Sequence, residues 1–233
     1  MGKVIVFPQR SRSAKSQRRV ATGFYTSSEA ARLARVPRHR LYAWHHQGII
    51  APTLEVVDFE GKEATGYSFE GIVYLRVVRM LRDYVSLEKA VKAARHLRER
   101  FGVPGPAWAD ARIRLEAGDV FAIRRDEWEA TVATRSGQKV DVVILFGEEF
   151  EQFLDRADAL LVPRQYQPFV EIDPGARSGQ PIVRETTIPT SLLYRLRLRG
   201  YSYARLRDEY PGLTLDRIKG AIAYERFLDA EAA

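Results

Sequence analysis

Residues 26–48 constrain the fold more than any other stretch, because two short amphipathic helical patterns meet there at a tight turn with extended sequence directly behind them. Thr26 stands where a helix cap belongs, and Glu29, three residues on, can accept from the Thr26 amide to complete a capping box. Ala30, Ala31 and Leu33 supply the inner face of this first helix, and Val36 fills the turn. Pro37 suits the first position of a second helix, where its missing amide costs nothing. That helix runs from about Arg38, with Leu41 and Trp44 on its inner face. Arg38, His39, Arg40 and Tyr42 are left near the exposed N-terminal end. Gly48 ends the pattern as a left-handed cap. A small helix pair whose second helix carries cations and an aromatic has the dimensions to enter a DNA major groove. A solvated helix end is the plainer reading of the same cations, and Tyr42 suits a phosphate contact or packing within a wing equally.

Charge follows the same half of the chain. The net charge is +7 over 233 residues, but residues 1–24 hold six Lys or Arg and no acid, and residues 25–102 hold 13 basic and nine acidic side chains. Residues 103–166 reverse the sign with eight basic and 12 acidic, and residues 167–233 nearly balance at ten and nine. Cations concentrated beside the helix pair suit a polyanion, since neutralised phosphates release counterions and supply most sequence-independent affinity. With 45% hydrophobic residues the chain can bury a core, and its length suits two or three small domains. The absence of cysteine removes disulfides and thiolate metal sites. No apolar run approaches the roughly 20 residues that span a bilayer, and no signal-peptide pattern opens the chain. A cytoplasmic location without membrane contact is expected.

Four segments follow along the chain. Residues 1–24 form a basic arm, polar and aperiodic enough to predict disorder. Residues 25–102 continue past the helix pair into two strand-like runs, 53–59 and 64–69, around Glu60-Gly61-Lys62. This is a hairpin, or wing, with Lys62 at its tip as a candidate backbone or minor-groove contact. A helix begins after Ser68, with Ile72, Leu75, Val78, Met80 and Leu81 inside and Arg76, Arg79 and Arg82 outside. Ser86 caps another helix, ended by Gly102. Val103-Pro104-Gly105-Pro106 marks a boundary. Residues 103–166 then carry β-favouring runs at 111–115, 120–124 and 139–146 and an acidic helix over 148–160, a small mixed α/β domain. Residues 167–233 open with a strand pair, 169–172 and 181–184. Three helices over 191–199, 203–209 and 215–228 follow, with Gly200 stopping the first and Thr214 capping the third. The fold class expected is α+β: a winged helix-turn-helix, a mixed middle domain, and a strand pair with a three-helix module.

The remaining chemistry-bearing residues point away from catalysis. His45 and His46 are adjacent and face different sides of a helix, which does not suit a shared metal. Glu148 with Glu149 and Asp155 with Asp158 lie on an amphipathic pattern and read as a solvated face. Neither a phosphate-binding glycine loop nor a spaced nucleophile triad is present. No catalytic, cofactor-binding or metal-ligating residue is assigned, and no enzyme activity is expected. Arg195 and Arg199 share one face of a helix while Arg197 points elsewhere, and Arg217 and Lys219 lie near the start of the last helix. A second DNA contact, an acidic partner and plain solubility all fit these four.

Ser28-Glu29-Ala30-Ala31, Gln47-Gly48-Ile49-Ile50-Ala51-Pro52, Gly66-Tyr67-Ser68-Phe69 and Ser86-Leu87-Glu88-Lys89-Ala90, in that order and spacing, resemble the N-terminal winged-helix domain of MerR-type regulators. That family continues into a long dimerisation helix, where this chain places Pro104 and Pro106. Ile172-Asp173-Pro174, Gly179-Gln180-Pro181-Ile182-Val183, Thr187-Ile188-Pro189-Thr190-Ser191, Gly200-Tyr201-Ser202 and Tyr210-Pro211-Gly212-Leu213-Thr214 resemble a domain of unknown function that recurs in VapB-type antitoxins encoded beside PIN-fold ribonuclease toxins. Its members usually read Gly-Thr-Arg where this chain has Glu185-Thr186-Thr187. The combination resembles the longer VapB antitoxins. It implies a type II antitoxin that binds double-stranded operator DNA as a homodimer and neutralises a PIN-type ribonuclease toxin; from their own placement Arg195, Arg199, Arg217 and Lys219 are candidate toxin or second DNA contacts. An arginine inserted among such a toxin's metal-binding carboxylates would compete with the metal. The alternative is a free-standing MerR-like transcription regulator.

Overall fold

The computed structural model describes residues 23–50, 52, 54–57, 63–83, 85–102, 111–116, 119–124, 131–132, 144–145 and 158–232. The basic arm up to residue 22, the wing tip with Lys62, and most of the predicted acidic helix therefore lie outside the described residues. Within them the class is α+β.

The capping box forms as the spacing predicts. Helix α1 (Ser27–Ala34) starts with the Glu29 amide donating to Thr26 Oγ1 at 3.3 Å and the Thr26 amide donating to Glu29 Oε2 at 2.9 Å. Arg35 ends it in the left-handed region at φ +58°, unusual for a non-glycine residue. Its amide donates back to Ala31 and Arg32, so the turn is hydrogen-bonded despite the strain. Val36 is fully buried in the turn, and α2 (Arg38–His46) begins with Pro37 as its cap residue, one position before the helix itself. Gly48, at φ +66°, closes α2 while the Gly48 and Ile49 amides donate to His45 and Trp44.

Strands β1 (Leu54–Val57) and β2 (Glu63–Gly66) pair antiparallel, Leu54 opposite Gly66 and Val57 opposite Glu63, so the predicted strand pair forms. A further bridge between Tyr25 and Tyr67 ties this hairpin to the residue that precedes α1. Gly66 is needed there, since a Cβ would lie 2.4 Å from the Phe24 ring. Helix α3 (Phe69–Leu81) is capped by Ser68, whose Oγ accepts from Gly71, and α4 (Leu87–Phe101) by Ser86, with Gly102 at φ +80° ending it. In the middle segment β3 (Ala111–Glu116), β4 (Asp119–Arg124), β5 (Thr131–Val132) and β6 (Ile144–Leu145) form an antiparallel sheet in the order β5-β4-β3-β6. Of the helix predicted over 148–160, the described end at residues 158–160 is a turn.

The last segment matches the predicted order: β7 (Val170–Glu171) antiparallel to β8 (Ile182–Val183), then α5 (Thr190–Leu198), α6 (Tyr203–Glu209) and α7 (Leu215–Ala232). Gly200, at φ +91°, stops α5, and the Arg217 amide donates to Thr214 Oγ1 at 3.3 Å. One small core, with Leu193, Leu206, Leu213, Ile218 and Ile222, holds the three helices together. The larger core runs through α1–α4 and takes in Leu160, Leu161, Val162, Val170, Ile172, Tyr224 and Leu228. Thus α7 and the 158–172 segment pack directly on the α1–α4 half.

Two expectations are corrected at this seam. Arg76, read as an outward cation, is half-buried and donates through Nε to the Leu160 carbonyl at 3.3 Å. Asp158, read as part of a solvated acidic face, is 5% exposed, and its Oδ2 accepts from the Ile172 amide at 2.7 Å. Each side chain faces an element distant in sequence, which periodicity within its own helix cannot report.

Candidate nucleic-acid interface

The geometry of α2 follows from its inner residues. Leu41 and Trp44 are buried against the core, and that anchors the helix so that its other faces point to solvent. Arg38, His39, Arg40, Tyr42, His45 and His46 are all exposed. A helix with its side chains is about 10–12 Å across, which fits the roughly 12 Å major-groove width. The helix contains no acid, and Arg38, His39 and Arg40 carry no ion pair among the described residues. Tyr42 is 66% exposed and lays its ring edge-on to His46, with ring centres 4.2 Å apart. It stands on the α2 surface. The sequence-predicted set Arg38, His39, Arg40 and Tyr42 is thus brought together on one exposed helix.

The four C-terminal candidates separate into three environments. Arg195 and Arg199 are exposed one helical turn apart near the end of α5, Arg195 donating to the Ser191 carbonyl at 3.3 Å. Leu198 between them is 68% exposed. Arg197 is half-buried with its guanidinium 5.2 Å from the Tyr203 ring centre, so it does point elsewhere. Arg217 is engaged within the fold, donating to Glu185 Oε2 at 2.6 Å. Lys219 is exposed, with Nζ 6.0 Å from the Tyr203 ring.

The seam that fixes α1, and with it α2, was invisible to spacing. Arg32 on α1 donates from Nη1 to Glu225 Oε2 at 2.5 Å, from Nε to Asp229 Oδ1 at 2.6 Å and from Nη2 to the Glu225 carbonyl at 2.9 Å. Burial works against the Arg32 charge, but the two carboxylates outweigh it and raise its pKa above the ordinary arginine value. Glu225 is 1% exposed, and Thr190 Oγ1 donates to its other oxygen. Arg35 donates to the Leu161 carbonyl at 3.4 Å and sits 4.7 Å over the Phe227 ring, while burial pushes its pKa down. Burial, then Arg35 and Arg79, drive Arg76 down to about 9. The sequence signal for this seam is acid at i and i+4 on α7, Glu225 and Asp229, of which Glu225 has no cation three or four residues away on its own helix.

Among the described residues no cluster of His, Asp or Glu is arranged to hold a metal, and no helix is long and apolar enough to cross a membrane. Residues 170–224 match the family described as a protein of unknown function, DUF433. Among solved structures the chain is similar to the crystal structure of Rv2018 from Mycobacterium tuberculosis, with 19% sequence identity, a TM-score of 0.52, and coverage of 85% of this chain and 96% of that one. That likeness is one of fold. No curated protein matches the chain.

Proposed function

We propose that this chain is the antitoxin of a type II toxin–antitoxin pair, binding its operator through α2 and neutralising a PIN-type ribonuclease toxin through its C-terminal module. The observation that carries the DNA half is the exposed row Arg38, His39, Arg40 and Tyr42 on a helix without acids, anchored by Leu41 and Trp44. Arginine and histidine at a helix start supply phosphate contacts and base-edge donors. The toxin half rests on the resemblance of residues 170–227 to a domain that recurs in VapB-type antitoxins and on Arg195 and Arg199, which carry no ion pair among the described residues and flank exposed Leu198. One helix of nine residues reads few base pairs, so a homodimer on a two-fold operator supplies the specificity.

Co-expression with the product of the adjacent gene, followed by co-purification and a growth assay of that neighbour alone, tests the pairing. A complex at physiological salt that relieves the neighbour's toxicity is the expected result. A harmless neighbour that does not co-purify removes the antitoxin reading and leaves a free-standing DNA-binding regulator.

A further inference from the structure

Beside α2 lies a cleft of about 130 Å³. Liquid water occupies about 30 Å³ per molecule, so the space is that of a few waters or one phosphate group. Pro37 and Trp44 form its apolar side; Arg40 from α2 and Arg79, Arg82 and Asp83 from the end of α3 form its polar side. Arg79 Nη1 donates to Asp83, which neutralises the only acid lining the cleft and holds Arg79 in place. Arg40 and Arg82 have no carboxylate partner among the described residues, so two cations from different helices face one concavity uncompensated. Pro37 offers no capping side chain, but the Arg40 amide already donates to the Pro37 carbonyl at 2.9 Å, so the positive charge of the cleft comes from the two guanidinium groups. Trp44 excludes water from one wall, and a lower local dielectric strengthens attraction between fixed cations and an anion.

We infer that this cleft seats a backbone phosphate of bound DNA, with Arg40 and Arg82 as its ligands and the Arg79–Asp83 pair holding the wall. The inference rests on the DNA reading of α2 and deepens it: Arg38 and His39, further out on the same helix end, reach base edges while the cleft fixes the register of the duplex. Arg82 is the residue that the sequence pattern set aside as outer surface of α3.

The test is fluorescence anisotropy of the full chain against two labelled duplexes, one from the region upstream of its own gene and one of arbitrary sequence, over a salt series. Arg82→Ala is compared with Arg82→Lys, and circular dichroism checks that both fold as the parent does. The inference expects Arg82→Ala to weaken both duplexes by a similar factor and to flatten the plot of log affinity against log salt by about 0.9 per lost phosphate. Arg82→Lys keeps the parental slope. An unchanged slope and affinity in Arg82→Ala overturns the inference while leaving α2 as a DNA helix. A melting shift by inorganic phosphate that Arg82→Ala abolishes, with DNA binding unaltered, assigns the cleft to free phosphate and also overturns it. Loss of binding to the upstream duplex alone makes Arg82 a base reader, which overturns it too. A parent that binds neither duplex removes the DNA reading and the inference together.

Discussion

Arg32 and Arg76 both reach into the seam between α7 and the helix pair, but Arg32 meets two carboxylates there and Arg76 meets a backbone carbonyl. Taking Arg32 away strands Glu225, which is 1% exposed. Arg32→Ala is therefore expected to lower unfolding stability by about 3 kcal/mol, as breaking a buried pair from one side does, read from the urea midpoint. For Arg76 the sign reverses. A base whose folded pKa falls below its unfolded value, here to about 9, subtracts stability at every pH where the unfolded chain keeps it charged. Arg76→Met keeps the stem and removes the charge, so stability should stay level or rise by about 1–2 kcal/mol. A loss as large as that of Arg32→Ala would show that the Leu160 hydrogen bond outweighs the burial of the charge. Glu185 sits at φ +60°, where the resembling family usually carries glycine, and bridges to Arg217 from a side chain 66% exposed. Relief of that strain is worth about 1 kcal/mol, similar to the most an exposed bridge returns. Glu185→Gly should accordingly shift the melting temperature by no more than a few degrees.

At the scale of elements, what was legible in the sequence is what is decided locally. The Thr26–Glu29 capping box, the Ser86 cap and the Gly48 and Gly200 stops all depend on residues within a few positions of one another, and all form, as does the β1–β2 hairpin. Thr26→Ala should cost about 1 kcal/mol, visible as a lower melting temperature with the far-ultraviolet spectrum preserved. Trp44→Ala should cost about 3–5 kcal/mol and weaken DNA binding by loosening α2. A DNA defect at unchanged stability would instead place Trp44 on the binding surface. What spacing could not show is where an element's second face goes. Arg76 and Asp158 sit on positions that look solvent-facing within their own segments, and each is claimed by a neighbour 84 or 14 residues away.

Over the whole molecule, composition marked segment boundaries near residues 102 and 166, yet the larger core continues from Tyr25 and Leu97 through Leu161 and Val170 to Tyr224 and Leu228. The Arg32–Glu225 pair spans 193 residues, and no periodicity encodes a partner so distant. The physical consequence is coupling: the module with the toxin-facing candidates grips α1, the helix that positions α2. Thermal unfolding of the full chain, with Trp108 and Trp128 replaced by Phe so that fluorescence reports Trp44 alone, should show residues 23–102 and 158–232 melting in one transition by that signal and by a label on α6. Separate midpoints for the two probes would mean that the shared core is not cooperative. The central claim is that α2 reads DNA, and the most direct test titrates a duplex from upstream of the gene, and a scrambled duplex of the same composition, at physiological salt with the parent and the Arg38→Ala, Arg40→Ala double variant. The account predicts tighter binding of the upstream duplex by the parent and loss of that preference in a variant that melts where the parent does. Equal binding of both duplexes by the parent, or a preference that survives in the variant, would contradict it.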